Sequence, residues 1–310
     1  MINTIHQGHV LDVLKGFEAE SVDSIITSPP YWGLRDYHLE PQVWDDAGNC
    51  EHQWVGDKKV WHGDRGKGNH KEIYTDMQEQ SSEHSFCSRC PAWRGSLGLE
   101  PTYQLYIQHL MQVMAECWRV LKKTGTLWVN IGDSYGGSGS PGGDFRDGKG
   151  GDEYLRPYNR KGVPAKSLVG IPERFVIAMT DAGWIRRNTI IWHKPNCMPE
   201  SANDRFTRDF EPVYFFTKGP KYYFEQQFEA RQSNEQSLKR AEYGRYALSE
   251  DAKAQQREGC PDFLQKPENN YGSPEGRNMR CTWTIASIPF SEAHFATFPP
   301  TLVEPMIRAG

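Results

Sequence analysis

Residues Thr27-Ser28-Pro29-Pro30-Tyr31-Trp32 follow directly on Val22-Asp23-Ser24-Ile25-Ile26, so an apolar run passes straight into a rigid polar and aromatic turn. Two consecutive prolines fix two φ angles and remove two backbone donors, leaving outward carbonyls beside a serine hydroxyl and two aromatic rings. Such a corner can hold a flat ligand that carries an amino group. The plainer reading is a strand end closed by a Pro-Pro turn. A second constellation joins Cys50-Glu51-His52 to Phe86-Cys87-Ser88-Arg89-Cys90. Cys50, His52, Cys87 and Cys90 offer four soft or borderline donors, enough for a closed tetrahedral zinc site, and the Cys-x-x-Cys pair is its stronger half. His62, His70 or His84 could replace His52, and the plainer reading is unpaired thiols.

The corner needs a strand before it and a sheet beside it. Asn3 to His6 reads as a short strand, followed by a turn at Gly8 and a helical stretch through Val10, Leu11 and Leu14, with the next strand over 22–27. The clearest helix starts near Glu100-Pro101-Thr102, places Leu110, Met114, Cys117 and Leu121 at steps of four and three, and is expected to end at Lys122-Lys123-Thr124-Gly125. Residues 126–131 read as a strand that stops at Gly132-Asp133. Strand, helix, strand implies a parallel pair with ligand chemistry at the carboxyl ends. A helix over Ile171–Ala182, opened by Pro172, and strands over 184–192 and 211–217 complete the pattern. The fold expected is a doubly wound, Rossmann-like α/β sheet in which the strands ending at 27 and 131 present adjacent loops.

Residues 1–35, 100–135, 166–219 and 285–310 read as this core. The 36–99 segment is polar and rich in Gly, His and Trp, and reads as an insertion with little core of its own that a metal would staple. Residues 136–165, too rich in glycine and charge to pack, are expected to form a mobile active-site loop, and 220–284 a target-recognition segment. With 310 residues, 37% of them hydrophobic, a mean hydropathy of −0.73 and no apolar run near about twenty residues, neither a membrane span nor a signal peptide is expected, which places the chain in the cytoplasm. A net charge of −4 argues against a protein that coats nucleic acid, but leaves room for an enzyme with a local basic groove. Seven cysteines without regular spacing fit a reducing compartment.

The hexapeptide at 27–32, Arg119-Val120-Leu121-Lys122-Lys123-Thr124-Gly125-Thr126-Leu127, Asn130-Ile131-Gly132-Asp133-Ser134-Tyr135, Trp192-His193-Lys194-Pro195, Glu211-Pro212-Val213-Tyr214-Phe215-Phe216 and His294-Phe295-Ala296-Thr297-Phe298-Pro299 together resemble the amino-group DNA methyltransferases. Their order is similar to the permuted group whose cofactor loop comes last. The resemblance implies S-adenosylmethionine as cofactor, double-stranded DNA as partner and a restriction endonuclease in the same system. An exocyclic amine conjugated to its ring is a poor nucleophile, because its lone pair is delocalised. By resemblance, the Ser28 side chain and the Pro29 carbonyl accept its hydrogens and Pro30 completes the turn, which localises that pair. Tyr31 then stacks on a flipped base. Trp32, Arg35 and Lys194 are implied on the substrate side, and Gly8, Thr27, His294, Phe298 and Pro299 on the cofactor side. Serine at position 28 leans toward cytosine N4 over adenine N6, and no Pro-Cys nucleophile is offered for attack at cytosine carbon-5: Cys197 follows Asn196 and Cys260 precedes Pro261.

Two departures qualify the resemblance. Family members carry an Asp-Pro-Phe-x-Gly-Ser-Gly strand and loop after the His-to-Pro segment, whereas this sequence runs to Met306-Ile307-Arg308-Ala309-Gly310; and His9 stands where an acidic residue would touch the adenosine. The expectation is a C-terminally truncated methyltransferase, with a sheet incomplete at that end and weak cofactor binding. A non-catalytic DNA-binding module is the competing reading from another class.

Overall fold

The computed structural model describes residues 3–34, 37, 39–46, 48–58, 81–136, 162–164, 166–229, 277–288 and 297–310. Its central sheet has strand order β1 (Val22–Thr27), β6 (Leu121–Asn130), β8 (Phe210–Thr217), β7 (Ile185–His193) and β11 (Thr282–Thr284). The β1–β6 and β7–β11 pairs are parallel, while β8 runs antiparallel to both β6 and β7. The carboxyl ends of β1, β6 and β7 therefore share one edge with the start of β8. Thr27 lies opposite Val129, which sets the 28–32 corner beside Asn130.

Alternation along these strands sorts the core into two layers. Leu127, Val129, Ile131, Tyr214 and Phe216 pack with α1 (Val10–Lys15), α2 (Tyr103–Val120) and α3 (Ile171–Asp181). Trp128, Ile190, Trp192, Val213 and Phe215 face the other way, against α4 (Pro300–Ala309) and Trp283. Helices on both faces make the sheet a doubly wound α/β fold.

Local sequence explains the element ends. Thr102 caps α2, its hydroxyl accepting from the Leu105 N–H at 3.2 Å. The helix buries Tyr106, His109, Leu110, Val113, Met114, Cys117 and Val120 and stops at Val120, because Leu121 turns extended. The 122–125 stretch expected as a helix end is instead the irregular start of β6. Gly125 permits it: a Cβ there would lie 2.7 Å from the Asp23 carbonyl. Gly170, at φ 76°, opens α3 with Pro172 in its first turn.

The strand expected over 3–6 does not form. Asn3 has φ 55° and Ile5 is exposed, so the short apolar run has no sheet neighbour. Within 36–99, β2 (Gln42–Trp44), β3 (Trp54–Lys58), β4 (Ser81–Cys87) and β5 (Trp93–Gly95) form an antiparallel sheet of order β2-β5-β4-β3. Its Trp44 and Trp93 are buried in the first core layer, so the insertion is keyed into the main core. Of the expected mobile loop only 136 and 162–164 are described; residues 137–161 and 230–276 lie outside the described residues. The strands β9 (Phe228–Glu229) and β10 (Arg277–Asn278) pair across the latter gap. Among the described residues no helix is long and apolar enough to cross a membrane.

Candidate active site

At the shared sheet edge the Tyr31 hydroxyl sits 2.7 Å from Glu211 Oε2 and 2.9 Å from Asn130 Oδ1. Its single hydrogen serves both acceptors, the carboxylate contact being the shorter and charge-assisted one. Ser28 donates its own O–H to the Tyr31 oxygen at 3.5 Å. On the far side of Glu211, Lys194 Nζ lies 2.5 Å from Oε1 and 4.2 Å over the Trp192 ring. Asn130 is fixed in turn, since its Nδ2 donates to the Pro212 carbonyl at 3.1 Å. Burial first, then the Glu211 charge, holds the Tyr31 hydroxyl well above its usual pKa, so it remains a neutral donor. The ring lies against Gly132, where a Cβ would come within 2.5 Å of Cε2.

The turn itself is braced from α2. Tyr106 donates to the Pro30 carbonyl at 2.7 Å, Gly33 N–H to the Gly98 carbonyl at 2.8 Å, and the Trp32 indole to the Glu100 carbonyl at 2.9 Å. Asp133, just past β6, accepts the N–H groups of Gly170 and Ile171 and so caps α3, while its carbonyl accepts from Arg208. Near this edge the Ser134 hydroxyl is buried with no hydrogen-bond partner among the described residues, a group that a polar ligand atom would satisfy.

The second constellation converges as well: one donor atom from each of Cys50, His52, Cys87 and Cys90 lies within 4.8 Å of the others. Cys50 Sγ is 3.8 Å from Cys87 Sγ, and Cys90 Sγ is 3.4 Å from His52 Nδ1. Tetrahedral zinc, with bonds of about 2.3 Å to sulfur and 2.05 Å to nitrogen, requires separations of about 3.8 and 3.6 Å. The donor set and its spacing fit that ion. His52 Nε2 faces Asp46 Oδ1 at 3.3 Å, the outer carboxylate that orients many metal-bound imidazoles. Burial pushes the Cys50 thiol up to about 12. At Cys87 burial works the same way, but the Arg89 N–H, His52 and the Gln53 backbone outweigh it and bring that thiol down to about 6, toward the thiolate a metal needs.

Placement of the remaining expected residues is uneven. Lys194 joins the corner network. Trp32, expected on the substrate, is 2% exposed and supports the turn from behind, because its indole is spent on the Glu100 carbonyl. Thr27 ends β1 next to the corner. Gly8 precedes α1, which packs on the first core layer, while Phe298 packs on the second and Pro299 stands at the N-terminal end of α4. Arg35 and His294 lie outside the described residues. Glu211 and Asn130 are site residues that sequence reasoning did not single out. The available signal was a charged residue opening an otherwise apolar strand.

The profile of the N6/N4 methylase family, described as DNA methylase, matches residues 22–310. The Type II methyltransferase M.XycI of Xanthomonas campestris pv. cyanopsidis is 31% identical over 99% of this chain and 72% of its own length. The chain is a member of the N6/N4 DNA methylase family. M.Cfr9I of Citrobacter freundii is also 31% identical over 99% of this methylase, and M.SmaI of Serratia marcescens 29% over 98%. Among solved structures, the PvuII DNA methyltransferase (cytosine-N4-specific) aligns with TM-score 0.37 and 17% identity, over 76% of this chain and 60% of that one.

Proposed function

We propose that this methylase transfers a methyl group from S-adenosylmethionine to the exocyclic amine of a base flipped from double-stranded DNA, with cytosine N4 as the acceptor. S-adenosylmethionine, when bound, supplies an electrophilic methyl group on sulfur. The carrying observation is the setting of the Ser28 hydroxyl: the Tyr31 phenol beside it commits its own hydrogen to Glu211 and can only accept from Ser28, at 3.5 Å, which leaves the Ser28 oxygen lone pairs to accept from the substrate amine. The Pro29 carbonyl, in a residue without a backbone donor, is the second acceptor. Two acceptors favour a pyramidal nitrogen and stabilise the charge that develops on it. Lys194, Glu211 and Tyr31 form the chain that holds Ser28 in this sense. The Tyr31 ring stacks on the base, and Thr27, Gly8, His294, Phe298 and Pro299 are assigned to the cofactor side by family resemblance, as is Arg35 to the substrate.

DNA contact draws support from the β7–β8 loop at the same edge. Phe206 is 97% exposed there, while Arg205 stacks 3.8 Å from the Tyr135 ring and Arg208 binds Asp133. A bare ring on an anchored loop suits the gap left by a flipped base. The 220–284 segment is assigned to target recognition. Zinc at Cys50, His52, Cys87 and Cys90 is structural, since four protein donors close its shell. A restriction endonuclease in the same cytoplasmic system is the expected companion. Incubation with labelled cofactor and duplex DNA, followed by mass spectrometry of the nucleosides, tests the reading. N4-methylcytosine is expected. N6-methyladenine would overturn the base assignment, and failure to label DNA with the full chain would overturn the activity.

A further inference from the structure

Adjacent residues Asp45 and Asp46 face two different structures. Asp46 Oδ1 meets His52 of the metal cluster at 3.3 Å, whereas Asp45 Oδ2 meets His109 Nε2 at 3.2 Å. Asp45 has φ 57°, a left-handed backbone that Asp tolerates better than most residues and that turns its side chain away from its neighbour's direction. His109 is fully buried, stacked on Trp44 at 4.6 Å and on Trp93 at 5.4 Å, both indoles being contributed by the insertion. Its Nδ1 meets Glu100 Oε1 at 2.9 Å, and Glu100 Oε2 accepts the Gly98 N–H at 2.8 Å. Gly98 in turn accepts from Gly33, and there is no room between it and the turn: a Cβ on Gly98 would lie 3.1 Å from the Pro30 Cβ.

A line of polar contacts, bridged by the Asp45–Asp46 peptide link, thus runs from His52 of the metal cluster to the back of the Ser28–Tyr31 corner. His109 and Glu100 are fully buried and Asp45 nearly so, and burying such charged groups is costly unless each is paired. We propose that His109 is a positioning residue through which the metal-stapled insertion sets the geometry of the methyl-acceptor corner, so that loss of the metal is felt at Pro30 and Gly33. This rests on the functional reading given above. It explains why the insertion spends two indoles and a carboxylate on one buried histidine when an apolar side chain would fill the space.

The test uses the full chain, zinc-loaded and after chelation, in wild type, His109→Gln and Asp45→Asn. Amide hydrogen exchange is read over 28–34 and 96–100, with β6, β7 and β8 as internal controls. Chelation of the wild type should speed exchange at Gly33 and Gly98 about tenfold while the control strands hold, as expected for a local opening. In His109→Gln those amides should exchange fast already, and chelation should add less than about twofold, the non-additivity of a shared path. In the methyl-transfer assay kcat should fall by about tenfold, with KM for DNA unchanged, in His109→Gln and in the stripped wild type alike. Unchanged exchange at 28–34 after chelation, equal acceleration of the control strands, or multiplicative effects of variant and chelator would each overturn the proposal. If His109→Gln does not fold, Asp45→Asn, which keeps the imidazole and both indoles, gives the same comparison. Coupled exchange in a chain that methylates nothing would overturn the functional reading and leave the coupling standing.

Discussion

Replacing Tyr31 with Phe removes one oxygen and keeps the ring. In the folded chain this deletes a 2.7 Å bond to Glu211 and a 2.9 Å bond to Asn130. A hydrogen bond to a charged group contributes about 1.5–3 kcal/mol, and a neutral one about 0.5–1.5. Glu211 keeps Lys194 at 2.5 Å and is not stranded, which argues for the lower ends, so the loss should total about 2 kcal/mol. Catalysis should suffer less. Ser28 loses only a 3.5 Å acceptor, a long contact worth about 1 kcal/mol at most, or roughly fivefold in the transfer step. Ser28→Ala, by contrast, removes the proposed acceptor itself and should cost about 100- to 1,000-fold, the range seen when a preorganised transition-state partner is deleted. Denaturant unfolding and single-turnover transfer of labelled methyl groups give both numbers. If Tyr31→Phe slows transfer as much as Ser28→Ala at undiminished stability, the phenol oxygen touches the substrate and the supporting role is refuted.

Gly132→Ala should drive a methyl group into the Tyr31 ring, costing about 1–3 kcal/mol and displacing the ring from its network; activity should fall further than stability, checked by the same two assays. Burial holds the phenols of Tyr31, Tyr106 and Tyr214 above their usual range. The unfolded chain releases these protons near pH 10 while the folded chain keeps them, so this contribution is intact below about pH 10 and is lost as pH rises beyond it. Unfolding midpoints that stay level through that range would contradict it. Cys87→Ser or Cys90→Ser should abolish retention of about one zinc per chain, read by elemental analysis, and should raise exchange in β2 to β5. A variant that keeps its zinc would remove that residue from the ligand set.

The strands that build the site edge were legible because they are continuous apolar runs: 22–27, 126–131, 184–192 and 211–217 all fall on observed strands within a few residues. The end of α2 was misread for a physical reason. Lysines and a glycine after an amphipathic stretch resemble a helix terminus, yet the burial of Leu121 and the close approach of Gly125 to Asp23 are tertiary facts. The convergence of Cys50, His52, Cys87 and Cys90 was legible from residue type and spacing. The buried polar line did not, although His109 stands three residues after Tyr106 within the inward stripe of α2 and could have been noticed there. A carboxylate such as Asp45 or Glu211 gains meaning only from what the fold sets opposite it.

The pairing of β3 with β4 has an engineering consequence. Trp54 lies opposite Cys87, and Lys58 opposite Ser81, so positions 58 and 81 face each other across one ladder. Cys50, His52, Cys87, Cys90, Trp44 and Trp93 all fall outside 59–80. Foreign sequence could be spliced between 58 and 81 without altering a metal donor or either indole, which makes this hairpin an attachment point for a reader domain that redirects the methylase to a chosen target.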